Sequence, residues 1–316
     1  MGLPRRKFPQ KAIPMENNNH FGDRLAAAVA AKKSAVCVGL DPRWPSLPEA
    51  IRSGIDDRNL QSVANATACY CREVIDAVCE SAAVIKPQAA FFEQLGPHGM
   101  LALYDAIQYA RKAGLLVLLD GKRGDIGSTA EGYADAYLGA DSPWQCDALT
   151  VNPYLGDDTL EPFVNTANQR SAGIFVLVKT SNPGSGFIQD QSIDGQTIYQ
   201  KMAGLVQSMA SRSAGISKYG NVGAVVGATY PQQLADLRAA MPNAWILIPG
   251  YGAQGGTAAD VAHGFDSRGS GAIVNSSRGI IFAYQQPAAA SLDWQQAVAQ
   301  AAREMADQLN QATGRS

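Results

Sequence analysis

Apolar residues fall in short unbroken runs along this chain. The runs are AVCVGLD (35–41), AAVIKPQ (82–88), LLVLLDGK (115–122), DALTVNPY (147–154), GIFVLVKTS (173–181), VGAVVGA (222–228), AWILIPG (244–250) and GAIVNSS (271–277). None alternates apolar with polar residues, which predicts strands buried on both faces. Between the runs lie segments with helical spacing. Residues 59–81 carry Val63, Ala66, Cys69, Val74, Ala77 and Val78 at near-helical intervals. Residues 99–114 are expected to put Leu101, Tyr104, Ile107 and Ala110 on one face and to stop at Gly114. Other helices are expected near 128–139, 157–168, 194–214, 230–240, 256–264 and 292–311, with a leading helix over 21–33.

Strict alternation of strand and helix predicts an α/β fold with a parallel sheet. Eight such units in this length fit a closed (β/α)8 TIM barrel with a leading N-terminal helix. An open doubly wound sheet is the rival arrangement. Residues 19–316 read as one barrel domain without repeat or linker, and residues 1–18 as a mobile tail in which Met15 is an alternative start. Residues 182–196, after the fifth strand, read as a long loop and a candidate lid.

Composition narrows the partners. The 316 residues are 46% hydrophobic and 17% charged, as in ordinary globular proteins. A formal charge of −2 gives no bulk attraction to nucleic acid or an anionic membrane, so an anionic ligand needs a local basic cluster. No apolar run approaches the ~20 residues of a membrane span. The basic start lacks an apolar signal core, and Arg6 breaks the myristoylation pattern. The five cysteines form no C-x-x-C pair, and with only three histidines they offer no zinc spacing. Reduced, mostly buried thiols in a cytoplasmic protein are expected. Trp44, Trp144 and Trp245 read as packing residues, and His98 and His263 as solvated.

In a barrel the chemistry gathers at the C-terminal strand ends. The first strand ends at Asp41 and the second at Lys86. The third ends at Asp120 and Lys122, with Asp125 just beyond. The fourth ends at Asn152, and the fifth at Lys179, Thr180 and Ser181. Asp120 and Lys122 are two apart on an extended end, so both should point the same way. An alternating acid–base row that included Lys86 would keep both lysines protonated and titrate as a unit. A solvated loop with incidental ion pairs is the plainer alternative.

The seventh strand runs into PGYGAQGG (249–256) and the eighth into NSSRG (275–279). GYGAQG matches G-x-G-x-x-G. A dinucleotide fold would want an acid about twenty residues on, where this chain has Asn275, Ser276, Ser277 and Arg278. In a barrel the same loops form a phosphate site. There glycines such as Gly252 open the backbone to the oxygens, Gln254 donates a bond and Arg278 chelates the anion. A purely structural glycine turn is the other reading.

The stretches VGLDPR (38–43), IKPQAAFFE (85–93), DGKRGDIGSTA (120–130), TVNPYLGDD (150–158), KTSNPGS (179–185), PGYGAQGG and NSSRG together resemble the orotidine 5′-phosphate decarboxylases, specifically the longer bacterial form. The resemblance implies a metal-free, cofactor-free homodimeric barrel that converts orotidine 5′-monophosphate to uridine 5′-monophosphate (UMP) and carbon dioxide, the last step of pyrimidine synthesis. It implies a charged catalytic row of Lys86, Asp120, Lys122 and Asp125. Asp125, Ile126 and Thr129 would reach into the partner chain's site. Asp41 and Lys86 would hold the ribose hydroxyls and Ser181 the pyrimidine. Asn152 would be a further substrate contact. Gln254, Arg278 and backbone near Gly252 would grip the phosphate. Ser277 stands where shorter members have glycine, but its N–H still donates. Lys122 would stabilise the anion left at C6 and then protonate it. Three rivals remain: a magnesium-dependent sugar-phosphate decarboxylase of related barrel type, an NADP-linked oxidoreductase with Arg278 on the 2′-phosphate, and a nucleotide-binding barrel without catalysis.

Overall fold

The computed structural model describes residues 20–252 and 255–315. Eight parallel strands close into a barrel: β1 (Val36–Leu40), β2 (Val84–Pro87), β3 (Leu116–Arg123), β4 (Ala148–Val151), β5 (Gly173–Lys179), β6 (Val222–Val226), β7 (Ile246–Ile248) and β8 (Ala272–Ser276). Each pairs with its neighbours in sequence, and β8 returns to β1 with Val274 opposite Val36. The eight expected runs are the eight strands, and the open-sheet rival falls. The expected tail, residues 1–18, lies outside the described residues.

The continuous apolar runs have a simple cause, because each strand is covered on both faces. Outside, the strands pack against helices that include Leu60–Val78, Gly96–Lys112, Gly127–Leu138, Ile198–Arg212 and Trp294–Thr313. Inside, Cys37, Val84, Leu118, Ala148, Phe175, Trp245, Leu247 and Ile273 fill the lumen. The leading helix, Phe21–Lys32, plugs the N-terminal end through Phe21, Leu25 and Val29. Phe21 meets Phe175 edge-on at 6.1 Å. A Cβ at Gly173 would lie 2.2 Å from the Phe21 ring, so glycine is what lets the plug seat. Asp23 clamps the helix from outside by accepting the Ile216 and Ser217 N–H groups. With one end stoppered, the other end is the open mouth.

Two expected helix faces are corrected. In Gly96–Lys112 the buried residues are Gly99, Ala102, Leu103, Ala106, Ile107 and Ala110, whereas Leu101 and Tyr104 are exposed. Steps of three residues lag the helix by about 60° each, so the run from 101 to 110 winds round to the opposite side. In Leu60–Val78 the face runs through Tyr70, Cys71, Val74 and Ile75, which leaves Cys69 in solvent. Cys37, Cys71 and Cys146 are buried free thiols. The region 182–196 is also more than a loop. It contains a short turn over Pro183–Phe187 and a two-stranded ribbon, Ser192–Ile193 with Gln196–Thr197. Asp194 and Gly195 take φ 55° and 79° at its tip, the conformation that an Asp-Gly hairpin turn needs.

Candidate active site

The site begins with an irregularity in β3. Leu119 pairs with Leu149, but the next registered pair is Arg123 with Val151. Four steps on β3 thus match two on β4, so the intervening residues bulge. Lys122 sits in the left-handed region at φ 46°, which costs a side-chain-bearing residue about 1–2 kcal/mol. The end of β3 is therefore not the extended pleat expected from the Asp120–Lys122 spacing. Thr150 on β4 holds the bulge. Its Oγ1 accepts the Lys122 N–H at 2.9 Å and donates to Asp120 Oδ1 at 2.9 Å.

The bulge still turns Lys122 back onto Asp120. Lys122 Nζ lies 2.7 Å from Asp120 Oδ1, and Lys86 Nζ lies 2.6 Å from Oδ2. Gln88 Nε2 adds a bond to Oδ2 at 3.0 Å. Asp120 thus accepts from two ammonium groups, an amide and a hydroxyl. Burial by itself would raise its pKa. The charges of Lys86 and Lys122 outweigh burial and hold the carboxyl well below the usual carboxylate range. Lys86 is only 4% exposed. Burial would strip its proton, but Asp120 and then Asp41 more than compensate, so its pKa is raised. Beneath them burial pushes the Cys37 thiol up to about 12, so it stays protonated and inert. Asp41 keeps one buried oxygen, Oδ1, without a partner among the described residues, and it lines the same cavity.

That cavity is about 350 Å³. Leu177, Val225 and Leu247 form its apolar floor. Asp41, Lys86, Gln88, Asp120, Lys122 and Thr150 form one wall; Gly250, Tyr251, Ser277 and Arg278 form the other. Because β3 and β7 are four strands apart in a ring of eight, the charged row and the glycine turn face each other across the mouth. The turn itself is folded inward. Gly252 N–H donates to the Gly256 carbonyl, Gly255 N–H to Gly252 and Gly256 N–H to Gly250. Gly250, Gly252 and Gly255 all have positive φ, at 100°, 67° and 93°. Gln254 lies outside the described residues. Arg278 is exposed and makes no ion pair or side-chain hydrogen bond among the described residues. Close by, a Cβ at Gly39 would fall 1.9 Å from Ser277 Oγ, so β1 must carry glycine for β8 to end where it does.

Several expected residues sit elsewhere. Asp125 is half-buried; it accepts its neighbour Ile126's N–H and makes no ion pair with Lys122. Ile126 is 63% exposed, and Thr129 is also exposed. None of the three lines this chain's cavity. Asn152 is exposed and turned to the Tyr154 N–H, whereas Thr150, two residues earlier, faces the site. Lys179 points away from the cavity and is buried against Asp190 (2.7 Å), Ser185 and the Tyr199 and Tyr230 rings. It ties the ribbon segment down beneath Thr180, Ser181 and Asn182, which do line the cavity. Sequence reasoning passed over Gln88 and Thr150. Both are neutral strand-end residues beside a charge, and only the partners of Asp120 reveal them. Among the described residues, no three His, Cys, Asp or Glu side chains converge as a metal site.

The fold and the cavity define a (β/α)8-barrel enzyme with a lysine–aspartate–lysine row on one rim and an arginine and glycine turn on the other. The sequence model of the Orotidine 5′-phosphate decarboxylase / HUMPS family matches residues 34–292, and the chain belongs to that family. It is 54% identical over 297 residues to the orotidine 5′-phosphate decarboxylase of Rhodopirellula baltica, covering 92% of this chain and 98% of that protein. The Haloarcula marismortui protein of the same name is 44% identical over 294 residues, 92% of this chain and 98% of the relative. The solved structure of Leishmania donovani OMP decarboxylase superposes with a TM-score of 0.72 at 34% identity, covering 93% of this chain and 99% of that one. A barrel with this membership leaves the dinucleotide reading of GYGAQG without its open-sheet context.

Proposed function

We propose that the protein decarboxylates orotidine 5′-monophosphate to UMP and carbon dioxide, the closing step of pyrimidine nucleotide synthesis. The observation that carries this reading is the convergence of Lys86, Asp120 and Lys122 on one cavity that Arg278 also lines. Family membership and the names of relatives 54% and 44% identical support it.

The chemistry follows from the layout. Arg278 chelates the phosphate with Ser277, and Gln254 is a further donor by the family resemblance. Gly252 N–H is engaged within its own turn, so its help requires the turn to open around the anion. Asp41 and Lys86 take the ribose hydroxyls; the unpartnered Asp41 oxygen is an acceptor waiting for one. Ser181 bonds the pyrimidine. Asn152, outside the cavity, has no substrate contact in this reading. The bond between C6 and the carboxylate breaks heterolytically. Carbon dioxide leaves and the electron pair stays on C6. The Lys122 ammonium, fixed 2.7 Å from Asp120, stabilises that pair and passes it a proton, and the resulting amine regains a proton from solvent. Positive charge held in place before the reaction needs no reorganisation at the transition state, which is why the row is built in advance.

In this reading the enzyme is a cytoplasmic homodimer with shared sites. Asp125, Ile126 and Thr129 stand beyond β3, exposed or half-exposed and outside their own cavity, as residues that complete a partner's site would.

The direct test is loss of orotate absorbance on mixing with orotidine 5′-monophosphate, with and without EDTA. Turnover that EDTA does not touch is expected. No turnover by protein that binds UMP ends the reading, and turnover that EDTA abolishes ends its metal-free part. For sharing, a Lys122→Ala chain is co-assembled with an Asp125→Ala chain. One interface site then regains both residues and activity returns. A verified mixed dimer without recovery refutes sharing.

A further inference from the structure

We propose that Arg123 is a positioning residue for this reaction: it locks the β3 bulge from outside the barrel and thereby holds Lys122 against Asp120. The inference rests on the decarboxylase reading for its kinetic consequence, but not for its structural one.

Adjacent residues 122 and 123 leave β3 in different directions. Lys122 lines the cavity, while Arg123 enters the layer between barrel and helices. There its guanidinium makes three kinds of contact. Nη1 donates to the Gly121 carbonyl at 2.9 Å, inside the stretch where β3 and β4 lose register. Nη2 pairs with Glu93, from the turn after β2, and reaches the Tyr137 hydroxyl at 3.3 Å. The cation also lies over the Tyr133 and Tyr137 rings, 5.8 and 5.6 Å from their centroids. The Arg123 carbonyl accepts the Asn152 N–H at 2.8 Å, which closes the far end of the bulge onto β4.

A left-handed lysine persists only where its surroundings over-determine it. Thr150 caps the Lys122 N–H from the inside. Arg123 caps the preceding carbonyl from the outside, and Glu93 with two tyrosines fixes Arg123 in turn. Residues 121, 122 and 123 are therefore held from both faces of the barrel wall. If the outer clamp is removed, the chain can relax toward the extended form, which swings Nζ away from Asp120. The row is what the reaction uses, and a displacement of about 1 Å there can cost a hundredfold in rate. Arg123 touches no substrate in this arrangement; it acts through Lys122.

The test uses Arg123→Met, Arg123→Lys and Glu93→Gln in the full-length protein. Arg123→Met should lower kcat by about 10- to 100-fold. KM for orotidine 5′-monophosphate and the dissociation constant for UMP should stay within about threefold, because the phosphate and ribose contacts are untouched. Arg123→Lys should recover at least about threefold of the lost kcat. Glu93→Gln, which leaves the arginine in place but loosens it, should lower kcat by about three- to tenfold at unchanged KM. A crystal structure of Arg123→Met should show residue 122 out of the left-handed region or its Nζ beyond hydrogen-bonding distance of Asp120. A kcat within twofold of the unaltered protein, equal loss in kcat and UMP binding, or an intact bulge in the variant overturns the proposal. Should Arg123→Met fail to fold, Glu93→Gln decides: unchanged kcat there overturns it. If the unaltered protein does not decarboxylate orotidine 5′-monophosphate, the functional reading fails separately, and the variant's bulge geometry still tests the lock.

Discussion

The two rims of the barrel mouth are built on opposite plans. On the β2–β4 side the lysine row is already partnered: Lys86, Lys122, Gln88 and Thr150 all converge on Asp120. On the β7–β8 side Arg278 is exposed and unpaired among the described residues, and the glycine N–H groups bond within their own turn. One rim has its lysine row set before a ligand arrives; the other keeps its arginine open and its glycine donors folded away. The difference matches what each rim is asked to do. Charge that stabilises a transition state must be fixed in advance, because reorganising it during the reaction raises the barrier. Phosphate contacts made far from the reacting carbon can instead release their binding energy on closure and spend it on orientation.

The largest expected effect tests the rim that carries the lysine row. Lys122→Ala should lower kcat by on the order of 10⁴-fold or more, since it removes both the fixed charge and the proton donor. UMP affinity should change by no more than about threefold. Single-turnover absorbance measurements with equilibrium UMP titration check both, and near-normal turnover would end the assigned chemistry. Arg278→Ala should come next, with kcat/KM down by about 100-fold, the equivalent of one or two charged hydrogen bonds. Here UMP binding should weaken as well, and kcat itself should fall if binding energy drives closure. A pure KM effect would show that the open rim binds without contributing to turnover.

The pH dependence of stability sharpens the comparison further. The Asp120 carboxyl is held below its unfolded value by the two lysines against the effect of burial. A lowered carboxylate pKa adds stability above the unfolded carboxylate value of about 4 and loses it as pH falls toward the folded value. Lys86 has the opposite sign: its raised pKa contributes below about 10.5 and is lost as pH climbs past that. The Lys86–Asp120 link should therefore hold across neutral pH and fail first in acid. Asp266 is also lowered, despite its own burial, by Lys218 and nearby N–H groups, so acid weakens more than the site. Asp120→Asn isolates the site's share. Urea unfolding from pH 7 to 3 should show an acid loss smaller by on the order of 1–2 kcal/mol in the variant. Parallel curves would mean that Asp120 is not held ionised by its neighbours.

These rims were unequally visible in the sequence. The barrel was legible because double-sided burial leaves unbroken apolar runs, and all eight of the runs became strands. Lys86, Asp120 and Lys122 were legible as strand-end charges, but the geometry that unites them was not. The expected pleat is a bulge with a left-handed lysine, and no residue pattern announces that a lysine will take φ 46°. Gln88 and Thr150 were silent because neutral hydrogen-bonding residues on strand ends carry no charge signal. Leu101 and Tyr104 misled because steps of three residues were followed where the helix turns every 3.6. The Asp194–Gly195 hairpin tip was a readable signal that the long-loop expectation passed over. Asp125 fits the D-x-K-x-x-D spacing yet stands apart from its own chain's row, since a spacing cannot say which copy of the chain a side chain serves.

The smallest effect comes from the backbone of the open rim. Gly252 has φ 67°, and a Cβ built there meets nothing within 4 Å among the described residues. Gly252→Ala therefore adds no clash with them and acts by disfavouring the left-handed conformation, at about 1 kcal/mol. If the inward-folded turn is merely the resting form, and phosphate binding opens it, alanine should weaken the resting turn and the bound form unequally. KM for orotidine 5′-monophosphate should then shift by about fivefold at most, with kcat within about twofold and little change in thermal midpoint, because 1 kcal/mol corresponds to roughly a fivefold ratio and the turn is peripheral to the core. A collapse of kcat by the amount seen for Lys122→Ala would erase the division between the rims. The glycine turn would then belong, like the lysine row, to the part of the site that must be in place before carbon dioxide leaves.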